Sequence, residues 1–257
     1  MTRTVLVTGA TSGIGFAFCE AYSKKNYQII LVARSQERLQ SLSKQLTKNY
    51  GVQTFFFAKD LSKEGAAFEL FQEIKAAKLK VDILINNAGF SNTGLFTSLP
   101  LEKIQQEMTL NIVSLTKLTH LFLDEMKQQH SGTIINLASI ASFYPAPYES
   151  VYAATKAYVL SFSEALQYEY QEFGIRVLAV CPGYTKTSFF DGRKLPYTRA
   201  RNPEMVVATT LKSLKTKKIS VIDGFGNQLQ FLLSRLLPRK LMLKLTGDSG
   251  KKAWADG

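Results

Sequence analysis

The sequence predicts an α/β fold: a Rossmann-like, doubly wound, seven-stranded parallel sheet with helices on both faces, in a single domain. Three observations carry that reading. Short β-rich apolar runs alternate with longer amphipathic stretches, as repeated βαβ units require. The first run feeds directly into a glycine turn that opens a helical stretch. The chain has 257 residues, 46% apolar and 20% charged, which suits one soluble hydrophobic core.

The elements follow in strict alternation. Residues 4–8 (Thr-Val-Leu-Val-Thr) form the first strand, and the glycine turn leads into a helix over 13–25. A second strand at 28–33 precedes a helix at 36–49, and a third at 53–57 precedes one at 63–77. The fourth strand, 83–85, is followed by a long helix over 101–129, and the fifth, 133–137, by one over 150–173. The sixth strand, 176–180, leads to a helix at 203–214 and the last strand at 219–222. In such sheets ligands bind beyond the carboxyl ends of the strands. Gly9, Arg34, Asp60, the Asn86-Asn87-Ala88-Gly89 segment, Ser139 and Pro182-Gly183 each follow one of the first six strands in turn, on that rim.

Gly9, Gly13 and Gly15 permit the tight turn and the close approach of a pyrophosphate, whose charge faces the helix N-terminus; Ser12 and Ile14 lie in the same loop. Cofactor choice rests on the end of the second strand, where an acid would grip a ribose 2′-hydroxyl. The residues there are Arg34 and Ser35, with no acid before Glu37. Arg34 can pair with a 2′-phosphate and Ser35 can hydrogen-bond it, so NADP(H) is favoured over NAD(H). Ser12 is not basic, so the loop brings no second phosphate-binding cation. Asp60, followed by Leu61, can accept from an adenine amino group or cap the next helix.

Tyr152 and Lys156 lie one helical turn apart on the same helix face. A phenol near pKa 10 needs about 4 kcal/mol of preferential anion stabilisation to titrate near neutrality. A neighbouring ammonium can contribute to that. Ser139 can donate a hydrogen bond where negative charge develops on a substrate oxygen. Asn111 sits in mid-helix, against its propensity, which suits a role positioning water or backbone near Lys156.

Together the TGATSGIG loop, Asp60, NNAG at 86–89, Asn111, Ser139, YAATK at 152–156 and Pro182-Gly183 with Thr185 and Thr187 closely resemble the short-chain dehydrogenases/reductases. The resemblance covers about the first 190 residues. It implies a catalytic tetrad of Asn111, Ser139, Tyr152 and Lys156, with hydride transfer between a nicotinamide and a carbonyl or secondary alcohol. By the same resemblance, Tyr152 is the acid/base and Lys156 also binds nicotinamide ribose. Asn87, Ala88 and Gly89 would line the adenosine side, and Thr185 and Thr187 would meet the carboxamide and phosphates. Related enzymes pair through the long helices, which implies a homodimer or homotetramer.

Net charge is +12. It fits solubility with an anion-attracting site, or an anionic membrane surface; without a finger, basic zipper or RNA-binding motif, no nucleic-acid partner is expected. Two cysteines, Cys19 and Cys181, suit a reducing compartment. The absence of a secretory segment points to a cytoplasmic location, and no apolar run spans a bilayer. His120 and His130 lack ligand-like spacing, so no metal is expected. The organisation read here is a dinucleotide-binding and catalytic core over 1–190, a substrate lid with the last helix and strand over 191–228, and a basic leucine-rich tail over 229–257. Phe143, Tyr144, Pro145, Tyr148, Tyr184, Phe189 and Phe190 suggest an aromatic wall for a bulky apolar substrate. Residues 229–245 carry leucines at helical spacing among Arg235, Arg239, Lys240 and Lys244, with Pro238 placed to break the helix. This segment suits peripheral contact with an anionic membrane, a cover for the site mouth, or a partner subunit.

Overall fold

The computed structural model describes residues 2–190 and 200–255. Strands β1 (Thr4–Thr8), β2 (Gln28–Ala33), β3 (Thr54–Ala58), β4 (Ile83–Asn86), β5 (Gly132–Leu137), β6 (Ile175–Cys181) and β7 (Ser220–Ile222) form one parallel sheet. Their order is β3-β2-β1-β4-β5-β6-β7. The strand order reverses direction beside β1, where Val7 faces Leu31 of β2 on one side and Ile85 of β4 on the other. That switch point opens the crevice in which such folds hold dinucleotides.

Helices α1 (Gly13–Ser23), α2 (Gln36–Tyr50), α3 (Ala66–Ala76), α4 (Leu101–Met108), α5 (Leu115–Gln128), α6 (Ser150–Tyr170) and α7 (Pro203–Leu214) cover both faces. Side-chain alternation along each strand divides the core. Val5, Val7, Ile29 and Leu31 pack in one cluster with Phe18, Leu39 and Leu46, whereas Leu6, Ile30 and Leu84 pack in another with Leu70 and Phe122. All of β1 is buried, as a central strand covered on both faces must be.

Three elements depart from the expected outline. The helix expected over 101–129 is interrupted between α4 and α5 by a π-helical turn, Thr109–Ser114. Within that turn Asn111 and Ser114 hydrogen-bond backbone outside the helix, at Phe90 and Leu61. The helix expected from 63 starts at Ala66, after Asp60 and Ser62 form a local turn and Gly65 adopts a φ of 80°. The tail forms two helices, α8 (Phe225–Leu236) and α9 (Arg239–Ala255). Pro238 forces the break: the residue before it, Leu237, is extended at φ −80°, ψ 144°. Among the described residues no helix is long and apolar enough to cross a membrane. Phe190 and most of the lid's first half (191–199) lie outside the residues whose side chains are described.

Candidate active site

The glycine turn is built by β1 and β4 together. Thr8 Oγ1 donates to Ile85 O and accepts from the backbone N–H of Asn87 and of Ala88, both at 3.0 Å. Asn87 Nδ2 donates to the carbonyls of Thr8 at 2.9 Å and Gly9 at 3.2 Å. Asn87 therefore props the loop from beneath. Gly9 has φ +66°, and a Cβ there would stand 2.8 Å from Asn87 Nδ2. At Gly15 a Cβ would run into the Gly9 carbonyl. Gly13, at φ +54°, brings the loop against Thr187, whose Cγ2 would lie 2.6 Å from an added Cβ. Ser12 occupies the N-cap position of α1 without capping it, and Ile14 packs on the core. The result is a cradle that side chains would fill, closed by the first N–H groups of α1, and it fits a dinucleotide pyrophosphate.

At the end of β2, Arg34 is exposed, and Ser35 Oγ caps α2 by accepting from Arg38 N at 3.3 Å. Arg38 was missed by sequence reasoning. One turn beyond Arg34, its Nη2 reaches back to Thr11 O of the glycine loop at 3.4 Å. It places a second cation beside the glycine loop, and a second arginine four residues after Arg34, in the first turn of α2, was the available signal. Asp60 Oδ1 accepts from Ser62 N at 3.1 Å and Ser62 Oγ at 2.7 Å, so its carboxylate shapes the turn before α3. Leu61 is buried, and its carbonyl accepts from Ser114 Oγ at 2.6 Å.

The residues expected to react come from the turn after β5, the π-turn and α6. Ser139 caps a short 3₁₀ turn (Ile140–Phe143), with Oγ accepting from Ala141 N at 3.1 Å. Ser142 Oγ accepts from Ser139 N at 3.2 Å and donates to Lys156 O at 2.8 Å, which ties that turn to α6. Lys156 is 5% exposed; its Nζ donates to Leu137 O at 2.6 Å and lies 5.7 Å from the Tyr152 ring centroid. Burial pulls its pKa down from 10.5 to about 8, while Cys181 and Glu107 act in the opposite direction.

Asn111 is buried, and Nδ2 donates to Phe90 O at 3.0 Å and Thr155 Oγ1 at 3.1 Å. Its Oδ1 accepts from Phe90 N at 3.3 Å, so the side chain clamps the backbone just after the NNAG segment. A Cβ on Gly89 would sit 3.0 Å from Asn111 Oδ1 and 3.5 Å from Lys156 Nζ, so all three meet at one point. Beneath them lies a polar chain that the sequence did not reveal. Asn86 Nδ2 donates to Thr119 Oγ1 at 3.0 Å and Asn136 Oδ1 at 2.9 Å, and Asn136 Nδ2 donates to Ser163 Oγ at 2.9 Å. Glu107, fully buried, accepts from Asn92 N at 3.0 Å and Asn92 Nδ2 at 2.7 Å, fixing the next loop. One of two acids on a short polar helix carries no sequence signal for that role.

Pro182 O accepts from Ile140 N at 2.9 Å, joining the sixth strand end to the Ser139 turn. Gly183 lies against Asn227 of α8, and Thr185 Oγ1 donates to Gly183 O at 3.0 Å. Thr187 Oγ1 accepts from Phe189 N at 3.3 Å, and the Phe189 ring lies 5.7 Å from that of Tyr152. Across the site Phe143 meets Phe231 of α8 edge-on at 4.6 Å, and Tyr144 OH accepts from Gln230 Nε2 at 2.7 Å. Burial raises the Tyr144 hydroxyl above the ordinary phenol range, with Tyr184 adding to it. The tail thus covers the aromatic end of the site.

Residues 3–196 match the family model described as short chain dehydrogenase. The very-long-chain 3-oxoacyl-CoA reductase of Bos taurus is 32% identical over 252 residues, 95% of this chain and 78% of that protein. Among solved structures, a short-chain dehydrogenase from Sphingobium yanoikuyae in complex with NADPH is 30% identical, with a TM-score of 0.82 over 92% of this chain and 96% of that one. A 7beta-hydroxysteroid dehydrogenase studied for its stereoselectivity is 27% identical, with a TM-score of 0.89 over 95% of this chain and 96% of that one. With its glycine-turn cradle, its Tyr152–Lys156 pair and these likenesses, the chain belongs to the short-chain dehydrogenase family and is an NAD(P)-dependent oxidoreductase of the alcohol–carbonyl couple.

Proposed function

We propose that this protein is an NADPH-preferring reductase of a bulky apolar ketone, of lipid, acyl, steroid or aromatic type, with Tyr152 as its general acid. The observation that carries the reading is the meeting of Lys156, Asn111 and Gly89 beside the Tyr152 ring. When bound, the reduced nicotinamide supplies hydride to the carbonyl carbon. Ser139 donates a hydrogen bond to the substrate oxygen as charge builds there, and Tyr152 delivers the proton that completes the alcohol. In the oxidative direction Tyr152 takes that proton back. Lys156 holds positive charge next to the phenol and favours its anion. Asn111 keeps the Gly89–Phe90 backbone in register with α6.

Arg34 and Arg38, with no acid at the end of β2, support 2′-phosphate recognition, and the NADPH complex of the Sphingobium relative agrees with this. Gly9, Ser12, Gly13, Ile14, Gly15, Ser35, Asp60, Leu61, Asn87, Ala88, Pro182, Gly183, Thr185 and Thr187 complete the assigned cofactor surface. The aromatic wall of Phe143, Tyr144 and Phe231, together with the acyl-CoA and steroid activities named for the relatives, supports an apolar substrate. Functionally we divide the chain into a core over 1–190, a lid with the last helix and strand over 191–228, and a tail over 229–257. Buried free thiols at Cys19 and Cys181 suit a reducing, cytoplasmic setting.

Replacing Tyr152 with Phe tests the mechanism. Ketone-dependent NADPH oxidation should fall at least about a hundredfold, the ordinary contribution of a positioned acid, while NADPH affinity stays near wild type. A wild-type rate in Tyr152→Phe would reject Tyr152 as the acid. A wild-type protein that binds NADPH but turns over none of a panel of aliphatic, aromatic, steroid and acyl-thioester ketones would instead be a cofactor sensor or scaffold.

A further inference from the structure

The helix α8 leaves most of its large apolar side chains exposed. Its inward side is mixed: Asn227 donates to Asp223 O at 2.5 Å, Gln230 donates to Tyr144 OH, and Phe231 meets Phe143. Its outward side carries Phe225, Leu229, Leu232, Leu233 and Leu236 at helical spacing, all exposed, Phe225 by 81% and Leu236 by 70%. Past the Pro238 break, the exposed side of α9 is mixed, with Lys240, Leu241, Lys244 and Leu245 at helical spacing. Met242 is buried and Thr246 Oγ1 donates to Pro145 O at 3.1 Å, while Leu241, Leu243 and Leu245 face solvent. The two helices are therefore held in place by their inner contacts, and their leucines are left over for something else.

The charge on this surface narrows what that is. Arg235, Arg239, Lys240 and Lys244 stand among the leucines, and no Asp or Glu occurs between residues 225 and 247. All four basic residues are exposed. An apolar face fringed by cations with no acid is complementary to anionic headgroups above acyl chains. A second copy of the same face is a poor occupant, because a two-fold contact would set four like charges against four with no acid to pair them.

We propose that the outer face of α8 and α9 docks this protein on an anionic lipid bilayer, with both helices lying in the interfacial plane. The inner face of the same helices covers the aromatic end of the active site, so docking turns that end toward the acyl region. This last consequence rests on the apolar substrate proposed above; the docking itself does not.

Flotation of the full-length protein on a density gradient tests it, using vesicles of equal parts phosphatidylcholine and phosphatidylglycerol against pure phosphatidylcholine. Wild type should float with the anionic vesicles, sink with the zwitterionic ones and be released by salt. The pair Arg239→Gln/Lys240→Gln should lower partition roughly 30-fold, and Leu232→Gln/Leu236→Gln should also abolish flotation. Both should reduce a water-soluble ketone at the wild-type rate. Tyr152→Phe should float like wild type, so that docking and chemistry fail separately. No flotation with either vesicle, equal flotation with both, or variants that change native mass yet keep vesicle binding would each overturn the proposal.

Discussion

Lys156 shows what the active site asks of a single side chain. Its ammonium is buried at the carboxyl end of β5 with Leu137 O as a hydrogen-bond acceptor, and desolvation lowers its pKa to about 8 from 10.5. Between those two values the unfolded chain binds more protons than the folded one, so the stability of the nucleotide-free protein rises with pH through this window. Below pH 8 the cost of the buried charge is present in full, about 3 kcal/mol from the shift. Replacing Lys156 with Met keeps an unbranched side chain, one heavy atom shorter, and removes the charge, but forfeits about 1 kcal/mol of hydrogen bonding to Leu137 O. Lys156→Met should therefore be more stable than wild type by about 2 kcal/mol at neutral pH, while losing turnover. That gain should fade as pH climbs from 8 to 10.5. Urea unfolding of both proteins across this range measures it, and a variant less stable than wild type at neutral pH would refute the account. Stability and catalysis pull in opposite directions at this residue.

An ion pair joins two segments that lie apart in the chain, Arg201 before α7 and Asp223 after β7. Thr185 and Arg201 pair in a parallel bridge. Arg201 then reaches Asp223, just past β7, with Nε–Oδ2 at 2.6 Å and Nη2–Oδ1 at 3.2 Å. Asp223 is 0% exposed and also accepts from Thr209 Oγ1 of α7 at 2.6 Å. Removing the carboxylate strands a partly buried guanidinium, so Asp223→Ala should destabilise the fold by about 3 kcal/mol in urea unfolding. A loss below about 1 kcal/mol would mean that water replaces the carboxylate there. Nothing in the sequence announces this pair, because Arg201 and Asp223 meet only through the crossover between β6 and β7. The same reasoning marks where sequence reading succeeds. The seven strands, the helices that alternate with them and the order of motifs on the rim follow from local periodicity and turn chemistry, which act within a few residues. The π-turn at Asn111, the Arg38 contact with Thr11 and the Glu107–Asn92 link depend on what lies across the crevice. The π-turn accounts for the oddly placed asparagine: a residue unfavourable in a regular helix occupies a turn whose geometry lets it clamp Phe90. Pro238 was legible as a break because proline acts on the residue before it, but the inward contacts of α8 were not.

At the scale of the whole molecule, two exposed surfaces among the described residues have different chemistry. One is the basic leucine face of α8 and α9. The other runs along the π-turn, α5 and α6, where Val113 and Tyr158 are exposed. There Tyr158 OH and Thr116 Oγ1 lie 3.0 Å apart across the two helices, and Tyr158 stacks on Phe162 at 5.5 Å. This second surface has pre-ordered aromatics and no dense charge of one sign, so it can meet its own copy about a two-fold axis without setting like charges together. The tail face cannot, for the reason that favours lipid. A homodimer through α5 and α6 is therefore the expected assembly, and a tetramer that pairs tail against tail is disfavoured. Light scattering of the purified protein should give twice the mass of the 257-residue chain. Val113→Glu/Tyr158→Glu would place four carboxylates in the interface of two copies and should give monomers, since each buried unpaired charge costs several kcal/mol. Leu232→Gln/Leu236→Gln should leave the dimer intact. If instead the glutamate pair left the mass unchanged and the leucine pair halved it, the copies would meet through the tail, and the assignment of the two surfaces would be reversed.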